Sequence, residues 1–446
     1  MRTQSSTLLV IALALAVPLA TSAVDHVVQP TGGNTPVAVR SDFRIDQATD
    51  EGDALGPSIS TDRGGNFIVT WLANGHVYAR QFYSSGAPVA AQFQVDPGEP
   101  GVTVEYPRVV MRPDGDMAYL TYGREVDGDE HVMIRRYRPR QHRLVGMPVQ
   151  MDSAVPNAGY PNLTIDPRGR RLGAVWITSE ADDVRVPYFR TLTSSAKPIG
   201  APVPLALRGS GTHGVNNPVY VTALGGENFM VAWTEFGPTD CSSGAFSEVV
   251  AQRVTAQGPL DGSFCVAQAS IYQTPGLPVA RYMAAAGCPD GRTLIAWTAS
   301  YPDEYHVFAR LYDTNGNAVT DETRVDQGEP AYEALVNHVT CDPSGVFTHT
   351  WLDNPHGGFA AAPRIDLQVY ARRSGDTDIP FSEFRADSSP AGSVRLTNLP
   401  DFLIVPDVAA SATNIVFVWV EWLPADSARH ATIFASVFAN PPGFDQ

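Results

Sequence analysis

Short runs of apolar residues, alternating or continuous and each bounded by Gly, Pro, Asn or Asp, fill the chain, and no long stretch carries a helical period. The runs come in groups. The stretch Gly56 to Phe82, "GPSISTDRGGNFIVTWLANGHVYARQF", contains an opening strand, a tight Gly turn, a second strand ending in Trp, and a third strand. The same sequence of signals recurs along the chain. Aligned on the second strand, the units read "NFIVTW", "MAYLTY", "RLGAVW", "NFMVAW", "RTLIAW", "VFTHTW" and "NIVFVW". They end at Trp71, Tyr122, Trp176, Trp233, Trp297, Trp351 and Trp419, 51 to 68 residues apart, so six of the seven tryptophans hold one repeat position.

Each unit predicts four strands. A Gly turn such as "DRGG", "RPDG" or "DPSG" joins the first two. Sequences such as "HVYARQF" and "HVFARLY" form the third, and a Gly- or Asn-rich hairpin leads to a fourth such as "AAQFQVD". Seven such units predict an all-β fold, a seven-bladed β-propeller of four-stranded antiparallel blades. The last unit stops after its third strand, "ATIFASVF", while Pro36 to Asp46 ("PVAVRSDFRID") matches a fourth strand ahead of the first unit. The N-terminal strand is therefore expected to complete the last blade, leaving no unpaired edge between the chain ends. The repeated aromatic is expected to fill the wedge between neighbouring sheets rather than to hold a ligand.

The blade pattern "P…D.GG.F.V.W…VYAR.F…G.P….F.VD" resembles the repeats of secreted bacterial β-propellers and, more loosely, the BNR or sialidase-like group, over essentially all of residues 35–446. An Asp-box, S-x-D-x-G-x-T-W, has its Trp directly after the Gly turn, whereas "STDRGGNFIVTW" places Trp71 inside the strand. A sialidase-type Phe/Tyr-Arg-Ile-Pro motif with its arginine triad is lacking, which counts against sialidase activity. The resemblance implies architecture; lyases, hydrolases, lectins and plain scaffolds all share such folds.

The chain opens "MRTQSSTLLVIALALAVPLATSAVDH", with one basic residue, a short apolar run and small residues ending at Ala23. Residues 1–23 therefore predict an export signal and 24–34 a linker, giving a secreted or periplasmic protein with no membrane span. A net charge of −16 argues against a nucleic-acid partner. Lys197 is the only lysine. Four cysteines in an exported chain suit disulfides, and their repeat positions favour Cys241–Cys265 and Cys288–Cys341. No Cys/His spacing indicates zinc. The acidic stretches "VDGDEH" and "DTNGN" read as turns, so calcium has no support and no cofactor is expected.

His76, His131, His306 and His430 open third strands of four blades and are spread too widely for one ion, so they are expected to be structural. The mouth of the innermost strands is the candidate site, because entry there lies beside the central channel. Just after the strand-opening Pro or its equivalent stand Ser58, Arg108, Asn162, Val219, Ala284, His338 and Asp407; just before it stand Tyr106, Tyr160, Asn217 and Tyr282. Glu105, His213, Tyr272, Glu329 and Glu333 add to the loops. Tyr106, Arg108, Tyr160, Asn162, Asn217, Tyr282, His338 and Asp407 are the expected ligand-binding set: rings to stack on sugar faces, polar groups to sort hydroxyls, Arg108 for a carboxylate. A hydrated mouth with no function is the plain alternative.

These residues lead to a propeller that binds a glycan or an extracellular protein through its channel face without chemistry. The alternative is a polysaccharide lyase, with His338, Tyr106 and Arg108 acting beside a neutralised uronate, or a glycoside hydrolase with a carboxylate pair drawn from Glu105, Glu333 and Asp407. A structural module of the cell envelope needs only the ring. The insertions of the sixth unit, "DNPHGGFAAAPRID" and "SSPAGSVRLTNLPDFLIVP", place length variation on the channel face.

Overall fold

The computed structural model describes residues 36–441 apart from 48–51, 154, 156, 181–183, 209–213, 237–240, 242–246, 268–280, 302–303, 327–332, 355–367, 375–382, 390–404 and 423–429. The expected leader and linker, and most of the two long insertions, lie outside the described residues.

Seven antiparallel sheets form, each built from strands consecutive in the chain except the last. The first strands of the sheets neighbour one another in a closed cycle and so line the axis. Blade seven consists of Asp407–Ala410, Asn414–Trp422 and Ala431–Ala439, with the N-terminal strand Ala38–Arg44 as its outermost member. Phe43 lies opposite Ala435 and Arg44 opposite Phe434. The Ile45 amide extends the join by donating to the Ile433 carbonyl at 2.8 Å, and the Ser436 hydroxyl donates to Asp42 Oδ1 at 2.9 Å. Phe43 also packs edge-on against Phe82 of blade one, centroids 6.0 Å apart, so one strand closes blade seven and seals it to blade one.

The repeated aromatics are buried between blades. Trp71 packs among residues of blade seven, Tyr122 among those of blade one, Trp176 among those of blade two, and so on around the ring. Several stack on the aromatic of the third strand opposite, as Trp71 does on Tyr78 and Trp176 on Tyr188, both at 6.3 Å. Sheets radiating from an axis leave a wedge that widens outward, and a large planar side chain at one height fills it. Loss of such a ring is worth about 3–5 kcal/mol.

Three of the four third-strand histidines join a clamp within their own blade. His76, His131 and His306 turn Nδ1 to Asp96, Asp152 and Asp326 at 2.9, 2.9 and 2.7 Å. The second oxygen of each carboxylate accepts the amide of Val77, Val132 or Val307. The aspartate ending the fourth strand thus fastens it to the start of the third. An arginine four residues after the clamp histidine reaches back to the preceding blade: Arg80 Nη1 to the Ile45 carbonyl at 2.8 Å and Arg310 Nη1 to that of Val266 at 3.2 Å, with Arg135 bonded likewise to the Val95 carbonyl. "VDGDEH" is a hairpin turn, with Asp127 and Gly128 at φ 54° and 89°. "DTNGN" is a turn organised by Asp313, which accepts the amides of Asn315 and Asn317.

Both expected disulfides form. Cys241–Cys265 pins the second-to-third-strand connection of blade four. Cys288–Cys341 joins the far ends of the innermost strands of blades five and six, with Cα atoms 5.2 Å apart and 53 residues enclosed. Replacing Cys288 and Cys341 together by serine is expected to lower the unfolding free energy by about 4 kcal/mol through the freed loop entropy, read from urea unfolding with and without reductant.

His349 of blade six is fully buried; its Nε2 contacts Ser374 Oγ at 3.1 Å and its Nδ1 has no partner. Burial, assisted by the Arg372 charge, pushes its pKa from 6.5 down to about 3. The unfolded chain therefore binds a proton below pH 6.5 that the folded ring refuses until about pH 3, and stability falls as pH drops through that window by about 1.4 kcal/mol per unit. His349→Gln is expected to remove this part of the acid limb in a pH series of urea melts; an unchanged limb would show that His349 charges freely.

Candidate functional site at the channel mouth

The innermost strands do not enter the sheets smoothly. Their ladders slip between Leu55 and Ser58, Glu105 and Arg108, Gly159 and Asn162, and Arg281 and Ala284. Each bulge holds one residue in the left-handed region. In blade one it is Gly56, at φ 61°; in blades two, three and five it is Tyr106, Tyr160 and Tyr282, at 53°, 57° and 49°. Left-handed backbone costs a side-chain-bearing residue roughly 1–2 kcal/mol, and a following proline, present after Tyr106 and Tyr160, disfavours helical backbone further. Glycine is the cheap solution, and blade one uses it. Three blades place a tyrosine there instead, and a bulge re-aims the side chain it carries.

Tyr106 and Tyr160 meet, with ring centroids 4.0 Å apart and planes tilted by 34°. Burial first, then hydrogen bonding to Tyr160 and the charge of Glu105, hold the Tyr106 phenol neutral far above its ordinary range. Arg108 and Asn162 line the same cavity with the two rings, and its volume of about 10 Å³ matches one water molecule. Tyr282 is part-buried against the apolar cluster of blades six and seven.

The pairing register identifies a ring of seven equivalent positions, each opposite the residue before the repeated aromatic. They are Ser58, Arg108, Asn162, Tyr220, Ala284, His338 and Asp407. Blade four corrects the sequence alignment. Its bulge is one residue longer, running from Asn216 to Tyr220, so Tyr220 and not Val219 holds the ring position, while Val219 is buried in the core.

Four ring residues from different blades converge. His338 Nδ1 lies 2.8 Å from Asp407 Oδ1, a contact that favours the ionised carboxylate. The His338 ring packs on Tyr220, centroids 5.7 Å apart. Asp407 is buried and also accepts the amides of Ile59 at 3.0 Å and Val408 at 2.6 Å. Burial opposes its ionisation, but His338, the Ile59 amide and the Arg108 charge outweigh burial and hold its carboxyl below the usual range. Burial pushes the Tyr220 phenol up to about 12, with the Asp407 charge adding to the rise and Arg108 opposing it.

A second small cavity on the blade-two side brings Glu105 together with Glu125, Glu130 and Arg124. Burial and the neighbouring Glu105 and Glu125 charges raise the Glu130 carboxyl. Asn217 lies on the innermost strand of blade four, but its side chain is outside the described set, as is that of Glu333; His213, Tyr272 and Glu329 lie outside the described residues. Among the described residues no group of three or more His, Cys, Asp or Glu side chains is placed to hold a metal ion, and no helix is long and apolar enough to cross a membrane.

No protein-family profile matches the chain, and no curated protein is detectably similar in sequence. Solved structures similar to it in fold include a polysaccharide lyase described as an ulvan lyase bound to a GlcA-(1-4)-Rha3S unit, at 12% identity and a TM-score of 0.49 over 92% of this chain and 97% of that one. An α-L-arabinofuranosidase from Fusarium graminearum aligns at 12% identity and 0.42 over 89% and 97%. A protein of unknown function from Dyadobacter fermentans aligns at 11% and 0.48 over 91% and 99%. At these distances none of them assigns an activity to this chain.

Asp407→Ala is expected to destabilise the ring by about 3 kcal/mol at neutral pH, because it strips a buried charge cluster of its partner. The contribution of a lowered carboxyl is full above its unfolded pKa of 3.8 and lost as pH falls through the folded value. The difference between wild type and variant in urea melts should therefore shrink only in strong acid.

Proposed function

We propose that the protein is exported and binds an acidic glycan over the mouth of its propeller channel. The observation that carries this reading is the pair Tyr106 and Tyr160, held at positive φ where glycine serves the same turn in blade one. Backbone strain at the rim is spent here on two touching aromatic rings, where glycine satisfies the same turn in blade one. Aromatic faces suit the apolar faces of sugar rings, and Arg108 beside them suits a carboxylate. The two disulfides and the leader-like N-terminus support an oxidising compartment outside the cytoplasm.

A second reading, a polysaccharide lyase at the same place, is favoured by one specific observation: His338 turns Nδ1 to Asp407 within the cluster that includes Arg108 and Tyr220. Such a histidine presents Nε2 as an acceptor for the proton beside a uronate carboxyl that Arg108 neutralises. A glycosidase is less well supported, since Asp407 is buried and committed to its own strand contacts.

Wild-type protein is expected to be retained on immobilised alginate or polygalacturonate, and Tyr106→Ala or Arg108→Ala to weaken retention roughly tenfold with the thermal midpoint little changed. No retention on either polyuronate would overturn the acidic-glycan reading. Steady appearance of an unsaturated, ultraviolet-absorbing product, abolished by His338→Ala, would replace the binder by the lyase.

A further inference from the structure

An innermost blade strand has a ladder on one edge, and amides on its other edge need acceptors from elsewhere. Blade seven supplies them to blade one, and blade one to blade two, by a common device. Asp407 Oδ2 accepts the Ile59 amide at 3.0 Å, and Ser58 Oγ accepts the Val109 amide at 3.3 Å. In both cases the ring residue of one blade serves the amide that directly follows the ring residue of the next. Two residues further along the strands, Ser60 Oγ accepts the Met111 amide at 2.9 Å in the same way.

Among the described residues, the amide after the ring residue is served in another way at two joins. Arg108 offers only donors, and the next blade's Leu163 amide turns instead to its own neighbour, Asn162 Oδ1, at 2.7 Å. His338 is turned to Asp407, and the next blade's Val408 amide takes Asp407 Oδ1 at 2.6 Å. The two substitutes are alike: an Asn or Asp at the ring position accepts the amide one residue ahead, and does so directly after a ring residue unable to serve it.

We infer that Arg108 and His338 are ring positions released from joining blades, and that Asn162 and Asp407 are positioning residues that take over the orphaned amides. Asn162 and Asp407 then act on a ligand only through the residues beside them. The assignment of Arg108 and His338 to a ligand rests on the function proposed above; the relay itself does not.

A double-mutant cycle on the full chain separates the two. Asn162→Ala leaves the Leu163 amide without an acceptor and is expected to raise the unfolding equilibrium constant roughly tenfold. Arg108→Ser recreates the arrangement of blade one, so Asn162→Ala in that background should cost little, and Asn162→Asp, which keeps the acceptor, should cost little in the wild type. Equal costs of Asn162→Ala in both backgrounds would overturn the relay. On immobilised alginate, Arg108→Ser should elute early, and any loss of retention in Asn162→Ala should be restored in Asn162→Asp, which keeps the acceptor. Early elution of a stable Asn162→Asp would make Asn162 a ligand contact and overturn its positioning role. If wild type itself is not retained, the ligand reading falls, and the cycle still decides the relay.

Discussion

An innermost strand of a propeller blade is hydrogen-bonded along one edge only, and its other edge faces a neighbour to which it forms no ladder. That constraint organises the axis of this protein. Side chains must supply what a sheet would have supplied, and the residue type at each ring position decides whether it can. Ser58 and Asp407 accept amides of the following blade, whereas Arg108 cannot. The chemistry gathered at the axis is therefore bound up with how the ring is held together.

Farther out, different forces take over. The wedge between sheets is filled by one buried aromatic per blade, and the outer strands are fastened by a repeated set of polar contacts. An aspartate closes each clamp with its histidine and an amide, and an arginine carries the next contact across to the preceding blade. The four histidines invite comparison with a metal site, yet three have a carboxylate partner within their own blade and the fourth, His430, lies 3.9 Å from Asp53. Their recurrence follows from the recurrence of the clamp. Closure uses the same vocabulary, since Asp46, carried in with the N-terminal strand, accepts the Ile433 amide as Asp96 accepts that of Val77.

Against this regular frame the departures are few and they lie at one end of the channel. Tyrosines replace glycine in left-handed bulges, and an arginine, a histidine and a tyrosine occupy ring positions where blades one and five carry serine and alanine. Backbone strain and buried charge are both costly, and the bulge tyrosines and Asp407 bring both beside the axis. A rigid ring with large aromatic wedges is able to tolerate that cost locally.

The repeat, the blade count, closure by the N-terminal strand, the buried aromatic and both disulfide pairings were legible in the chain, because each depends on periodic spacing or local residue type. Most residues of the candidate site were legible as well, since they break the repeat. The exception was Tyr220, hidden by a bulge one residue longer than its counterparts, which no count forward from the proline reveals. Only the tertiary structure decided which mouth residues meet: Tyr106 with Tyr160, and His338 with Asp407 and Tyr220. These contacts join strands of different blades, and whether two side chains touch there depends on blade rotation and bulge geometry, quantities that no local pattern of apolar and polar residues encodes.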